Sequence, residues 1–407
     1  MDTTDKQSMI ILISADERKF LRDAGDRLPL GNLYLSAVLK SEGIEHKVID
    51  LNHDDWEKVK AEIKREQPEM VGLSVMSPVY KQMQEIARQI KKISPYTKIV
   101  AGGFHVTSMP GSMNVDEEIM GYAERAILRA RKGKNGGKIN WVDINEYPIP
   151  NRDAVDASRY KMRLEGLKAT TMITSRGCPF NCCFCGNFDK IQKRRHMANI
   201  EQELREIVSM GYKAVYLLDD SFTLNKAHAE IVARLMRKYN LKYRIETRAN
   251  LLDEGLVKIL AETGCLVVGI GIESGSDRIL ENICKGETTE QIRKAVKLLG
   301  KYGIKTKGFF MFGLPGEDEN DAYETIKFAK ELKTYGMAYA DFYILMPFPG
   351  TPIFKDPDKY GIKIIEKDFT KYLVAGKDKP KCFHRNGLMT RRKVEEIRNY
   401  AEEEWKR

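Results

Sequence analysis

The chain has 407 residues, 42% of them apolar and 31% charged, a globular mixture that excludes global disorder. Its 68 Lys and Arg against 58 Asp and Glu leave a net charge of +10, spread along the sequence. That charge permits acidic partners without demanding nucleic acid. The longest apolar run, Cys265–Ile272, is far too short to span a bilayer, and Met1–Ser8 has no signal-peptide pattern. A cytoplasmic protein without a transmembrane segment is expected.

The N-terminal part alternates strand and helix. Apolar runs predict strands at Met9–Ser14, Lys47–Asp50, Met70–Val75 and Lys98–Ala101, and a short one near Glu118–Met120. Helical periodicity fills the gaps at Gly31–Glu42, Trp56–Glu66 and Tyr80–Ile93. Short apolar strands with helices between them read as a doubly wound, Rossmann-like parallel sheet spanning residues 1–130, with ligands expected beyond the strand C-termini. Residues 131–168 look like a linker. Its turn-rich basic run, Arg131–Lys138, reads as a solvated loop.

A second series starts at 169. Strands are expected at Thr170–Thr174, Ala214–Leu218, Tyr243–Thr247, Leu266–Glu273, Thr306–Phe312 and Phe342–Met346. The helices between them are Ile200–Met210, Lys226–Tyr239, Asp253–Glu262, Thr289–Tyr302 and Glu319–Tyr335. Six βα units over 169–354 make a partial barrel, whose chemistry belongs at the strand C-terminal ends. Residues 355–407 are polar and basic and end in a charged helix, Thr390–Trp405, a small C-terminal helical region.

Four of the seven cysteines fall between Cys178 and Cys185, directly after the first barrel strand. In a cytoplasmic chain such clustering points to a metal or redox site rather than to disulfides. Cys178, Cys182 and Cys185 follow a Cys-x3-Cys-x2-Cys spacing. Three thiolates on one loop suit a cubane 4Fe-4S cluster with one iron left open. A structural zinc would need a fourth ligand nearby, and there is none. Cys183 reads as a small filler, and Cys265, Cys284 and Cys382 as buried packing residues.

Here the sequence resembles the radical S-adenosylmethionine (SAM) superfamily, which uses Cys-x3-Cys-x-aromatic-Cys; Phe184 fills the aromatic place. The resemblance implies that SAM chelates the open iron and is cleaved by the reduced cluster to a 5′-deoxyadenosyl radical. It also implies an external electron donor. Further stretches match residue by residue. Asp219 and Asp220, at the end of the second strand, would meet the SAM amino group. Arg248 would pair with its carboxylate. Glu273 and Ser274 would take the ribose hydroxyls, with Gly275 allowing close approach. Gly313, in Phe312-Gly-Leu-Pro-Gly316, would pass along the adenine.

The N-terminal part resembles the cobalamin-binding domain of cobalamin-dependent radical SAM enzymes. The residues that carry this are Leu30 and Gly31, Ser74 and Ser77, Gly102 and Gly103, and His105. The resemblance implies that Gly102–Gly103 admits a flat ligand and that Ser74, Ser77 and His105 line its nucleotide tail. Gly121 and Tyr122 stand where the family has Gly-Glu-Gly-Glu; Tyr122 would face the cobalt or the tail, or, on the simpler reading, serve as a packing aromatic. Where methyl-transfer domains read Asp-x-His-x-x-Gly, this chain has Asp50-Leu-Asn-His53. His53 is one position late, reads as a solvated loop residue, and leaves cobalt without a His ligand.

The resemblance implies a cobalamin-dependent methyltransferase acting on an unactivated carbon. The alternative is a cobalamin-binding radical enzyme that rearranges, cyclises or oxidises without methylation. A non-catalytic SAM or cobalamin sensor is the third reading. Methylthiolation of tRNA is disfavoured, because that family has cysteines in its N-terminal domain and this chain has none before Cys178. The substrate, whether small molecule, lipid or peptide, is not written in the sequence.

Overall fold

The computed structural model describes residues 9–21, 23–134, 136–139, 143–372 and 380–407. Met1–Ser8 and Asn135 of the basic run lie outside the described residues. The chain divides into two compact units. The first is Met1–Lys161 with Phe369–Lys371, and the second is Met162–Asp368 with Tyr372–Arg407.

In chain order the first unit contains β1 (Ile10–Ser14), α1 (Leu30–Ser41), β2 (His46–Asp50), α2 (Trp56–Glu66), β3 (Met70–Ser74), α3 (Tyr80–Ile93) and β4 (Lys98–Gly102). It continues with α4 (Phe104–Ser108), β5 (Glu117–Gly121), α5 (Glu124–Arg131) and β6 (Lys138–Ile139). The strands form one parallel sheet in the order β2-β1-β3-β4-β5-β6. The strand order reverses between β1 and β3, the switch point at which such sheets bind ligands. Ile11, Ile13, Val71 and Leu73 pack on one face and Ile10, Leu12, Met70 and Val100 on the other. Burial on both faces explains the unbroken apolar runs. Three elements escaped the sequence reading: α4, α5 and β6. The first is a single turn, α5 is strongly charged, and β6 has two residues, so none gives a clear periodic signal.

The second unit opens with β7 (Arg163–Leu164) and β8 (Leu167–Met172), then a short antiparallel pair, β9 (Ser175–Arg176) and β10 (Lys193–Arg194). It continues α6 (Met197–Ser209), β11 (Ala214–Leu217), α7 (Lys226–Lys238), β12 (Lys242–Thr247), α8 (Glu254–Thr263) and β13 (Cys265–Glu273). Then come α9 (Asp277–Asn282), α10 (Thr289–Lys301), β14 (Lys305–Phe312), α11 (Glu319–Thr334) and β15 (Met337–Ile344). The last elements are α12 (Pro352–Lys355), the antiparallel pair β16 (Lys363–Ile364) and β17 (His384–Arg385), and α13 (Arg391–Lys406). Six parallel strands run β15-β14-β13-β12-β11-β8, and β7 pairs antiparallel to β8. This is the expected partial barrel.

The helices cover its outer face and enclose one apolar core with Leu204, Val232, Leu260, Val296 and Phe328. Their starts follow capping chemistry. Asn225, Asp253 and Thr390 cap α7, α8 and α13, and Thr288 and Asp318 form capping boxes. The edge strand β15 is covered by α13, whose Arg398 Nε donates to the Phe342 carbonyl at 2.8 Å. β15 begins five residues before the expected start, because its first half holds two alanines and an exposed tyrosine and lacks a run of large buried side chains.

Candidate active site

The candidate side chains of the second unit stand at or just beyond the C-terminal ends of its parallel strands. β8 was expected to reach Thr174 but ends at Met172. Thr174 leaves the sheet to donate its N–H and hydroxyl to Asp219, at 2.7 and 2.6 Å, and Ser175 adds a third donor at 2.6 Å. The Thr174 hydroxyl, whose proton is directed at Asp219, accepts from His228 Nε2 at 3.1 Å. Arg195, paired with buried Glu203, donates to the Ile173 carbonyl at 2.8 Å. The strand end that launches the cysteine loop is thus fixed from three sides. Burial pushes Asp219 up to about 6 despite these bonds.

The Asp219–Asp220 pair therefore splits. Asp219 is 3% exposed and engaged with the loop. Asp220 is exposed and accepts the Gly177 N–H at 2.7 Å, which leaves its carboxylate more open to solvent than that of Asp219.

Cys178 receives a positive-φ turn at Gly177, where a Cβ would sit 2.2 Å from the Ile191 carbonyl oxygen. Only glycine fits there. The Cys178 N–H donates to Asp189, and Cys185 N–H to the Cys182 carbonyl at 3.1 Å, which folds the loop so that its thiols neighbour one another. Cys178 and Cys185 are half-buried and Cys182 is buried. Among the described residues no three His, Cys, Asp or Glu side chains converge as a single metal ion requires. A cubane cluster asks for something else, since each thiolate binds its own iron. Three adjacent thiols on one partly open loop fit it. Cys183 is fully buried, with its amide bonded to Ile283 and its carbonyl to Ile353. Phe184 is partly buried against the barrel core. Of the distal cysteines, Cys265 and Cys382 are buried, but Cys284 is exposed, contrary to expectation. It sits at φ +54°, where the chain reverses after α9.

Arg248 follows β12 and turns inward. Its guanidinium stacks on Phe180 at 3.8 Å and lies 3.8 Å from Cys182 Sγ. Glu273 lies at a bulge where β13 meets β14, with φ +65°, which turns its carboxylate toward Lys285 at 3.3 Å. Ser274 lies 3.2 Å from Thr325 of α11. Gly275 does permit a close approach, but to α11: a Cβ would meet Thr325 Cα at 2.8 Å. Gly313 uses both backbone polar groups internally. Its N–H donates to Glu317 at 2.5 Å, and its carbonyl accepts from His384 Nε2 at 2.7 Å. Burial pushes Glu317 up to about 8 and His384 down to about 4.

Sequence reasoning missed the inner face of the sheet. Arg244 Nη2 and the Tyr216 hydroxyl both donate to Glu246, at 3.0 and 2.6 Å, and the Arg244 guanidinium stacks on Tyr216 at 4.2 Å. Lys307 pairs with Asp341 at 2.7 Å, and the Tyr343 hydroxyl donates to Asp341 at 2.9 Å. Arg244 Nε is buried without a hydrogen-bond partner. Gly269 leaves room, since a Cβ there would touch Glu246 and Phe309 at 3.1 Å. The signal was present as the period-2 alternation of Lys242–Thr247.

In the first unit, Ser74 ends β3, Gly102 ends β4, and Gly121 ends β5. Gly103, at φ +108°, closes its turn on β3: a Cβ would lie 2.8 Å from the Val75 carbonyl oxygen. His105 is buried beneath Tyr80, with ring centroids 4.8 Å apart, and beside Phe369 at 6.1 Å. Its Nδ1 lies 3.1 Å from Ser77 Oγ, while its Nε2 is buried without a partner. Burial pushes His105 down to about 4, so the ring is neutral. Leu30 is buried at the start of α1, and Gly31 beside it is exposed, with open space around it. Tyr122 packs against Ile144 and Tyr147. His53 is held rather than solvated: its Nε2 lies 2.6 Å from the Gly25 carbonyl and its ring meets Tyr160 edge-on. A glycine-bearing strand end with an orphaned ring nitrogen behind it fits the polar tail of a nucleotide-bearing cofactor.

Residues 172–329 match the family model of the radical SAM superfamily, and residues 21–131 that of the B12 binding domain. An uncharacterized methyltransferase of Pyrococcus horikoshii is 32% identical over 364 residues, covering 80% of this chain and 78% of the relative. The anaerobic magnesium-protoporphyrin IX monomethyl ester cyclase of Rubrivivax gelatinosus is 25% identical over 413 residues, covering 90% and 73%. The structure of the radical SAM methyltransferase TsrM from Kitasatospora setae, with cobalamin and a [4Fe-4S] cluster bound, superposes with a TM-score of 0.71 at 20% identity, covering 88% of this chain and 77% of that one. The chain belongs to the cobalamin-dependent radical SAM methyltransferase family. It is an enzyme whose cofactors are a [4Fe-4S] cluster, SAM and cobalamin. No helix among the described residues is long and apolar enough to cross a membrane.

Proposed function

We propose that the chain is a cytoplasmic C-methyltransferase whose acceptor is a polar small molecule with an unactivated carbon. When bound, the cluster and SAM supply a 5′-deoxyadenosyl radical, and cobalamin supplies the methyl group. Cys178, Cys182 and Cys185 would hold the cluster. Asp220, Arg248 and Glu273 would hold SAM by its charged and hydroxyl groups. Asp219 keeps the cysteine loop in register, and Phe184 closes its apolar side. In the first unit Gly31, Ser74, Ser77, Gly102 and His105 would take cobalamin.

The observation that carries the acceptor class is the charged inner face of the barrel. Arg244, Glu246, Lys307 and Asp341 offer donors and acceptors in balanced number, which suits a hydrophilic or zwitterionic molecule. A hydrocarbon chain would strip water from these ion pairs and offer them no hydrogen-bond partner in return. The similarity to a cyclase over 90% of the chain supports a second reading, ring closure without methylation.

Product analysis separates the two. Reconstituted enzyme with cobalamin, SAM, an external reductant and acceptor should release both 5′-deoxyadenosine and S-adenosylhomocysteine. Deoxyadenosine without any S-adenosylhomocysteine would sink the methylation reading.

A further inference from the structure

Behind Cys182 lies a buried cluster of four charges: Arg248, Lys285, Glu287 and Glu273, each at most 7% exposed. Lys285 comes from the turn after α9, which Cys284 and Gly286 reverse at φ +54° and +63°. Its ammonium lies 3.3 Å from Glu273 and 3.5 Å from Glu287, suspended between two carboxylates. Glu287 is anchored on one side, accepting the Asn250 N–H at 3.0 Å. Its other oxygen is 3.3 Å from Arg248 Nη2 yet makes no aligned hydrogen bond. Gly271 makes the space, since a Cβ there would stand 2.9 Å from Lys285 Nζ.

An isolated buried ammonium would shed its proton. Burial pulls Lys285 that way, but Glu273 and Glu287 outweigh it, and its pKa lies above the ordinary value. Arg248 lies 3.8 Å from the Cys182 sulfur and shares Glu287 with Lys285, so two cations and the two anions that hold them are gathered behind this thiol.

We infer that Lys285 is a positioning residue that sets the charge beside the Cys182 thiolate, and that Glu287 holds Lys285 and Arg248 in place. The inference rests on the reading that Cys178, Cys182 and Cys185 carry the cluster. Reduction adds one electron, taken from a one-electron donor that is thereby oxidised, without making or breaking a bond or moving a proton. The added negative charge is favoured by a neighbouring cation and opposed by a neighbouring anion.

The test is a redox titration of the reconstituted full-length protein with dithionite, followed by electron paramagnetic resonance, with iron content measured in parallel. Lys285→Met should shift the midpoint to more negative potential, and Glu287→Gln to more positive. Lys285→Arg should restore the native value. Opposite signs are what a merely structural role does not produce. If Lys285→Met with full iron titrates at or above the native midpoint, the inference is overturned. If Lys285→Met takes up no iron, Glu287→Gln decides: an upward shift supports the inference, and no shift or a downward one overturns it. Native protein that binds no iron would instead overturn the cluster reading itself.

Discussion

The two units end their parallel strands in opposite ways. In the second unit the strand ends carry thiols and paired charges: Asp219 with its three donors, Arg248 against Cys182, and Lys285 between two carboxylates. In the first unit the ends of β3, β4 and β5 carry serine and glycine, with a neutral histidine stacked under Tyr80 just beyond β4. One edge is built to hold small, highly charged groups by coordination and ion pairing. The other is built to accept a large, flat group by shape, with few polar contacts. The difference teaches that parallel strands joined by helices support both, because function is set by what stands at strand ends rather than by the sheet.

Breaking the ligand set should have the largest effect. Cys182→Ala should abolish SAM cleavage and lower iron content to background, while cobalamin binding to the first unit persists; iron assay and cobalamin absorbance check both. Next comes the support of the loop. Asp219→Ala strands the Thr174 and Ser175 donors, with an expected loss of about 1–3 kcal/mol in stability by denaturant melts. Iron uptake should become incomplete in that variant. In the first unit, His105→Phe removes the orphaned ring nitrogen but keeps the aromatic stack. Cobalamin affinity should fall roughly tenfold, as loss of about one hydrogen bond implies, with iron content unchanged. Equilibrium dialysis reads it.

The pH response spans both units. His105, His228 and His384 are each pushed down to about 4 by burial, from an ordinary 6.5. Their folded-state pKa is depressed, so the stabilising neutral form is fully present above 6.5 and lost as pH falls toward 4. Glu317 acts oppositely: raised to about 8, it favours the fold below 4.5 and loses that contribution as pH rises toward 8. Thermal melts should decline from pH 6.5 to 4, and Glu317→Gln should remove the loss of stability that Glu317 causes as pH rises from 4.5 to about 8.

Much of this was legible in the sequence. The cysteine spacing is local, so no folding information was needed to see it, and apolar runs marked the buried strands of both sheets. What was missed depends on distance in sequence. Lys285 and Glu287 lie well beyond the cysteines and gain meaning only when α9 turns the chain back toward Cys182. Asp219 and Asp220 are adjacent and identical in type, and only the position of Thr174 separates their roles. Gly275 was read as allowing close approach to the ribose, whereas the neighbour it accommodates is a helix of the same unit.

The central claim is that the thiol-and-charge edge and the glycine-and-ring edge hold different cofactors. Cofactor stoichiometry of anaerobically purified native, Cys182→Ala and His105→Phe proteins tests it most directly. The account predicts that the cysteine variant loses iron and keeps cobalamin, and that the histidine variant keeps iron and binds cobalamin more weakly. Loss of both cofactors together from either variant that remains folded would contradict it.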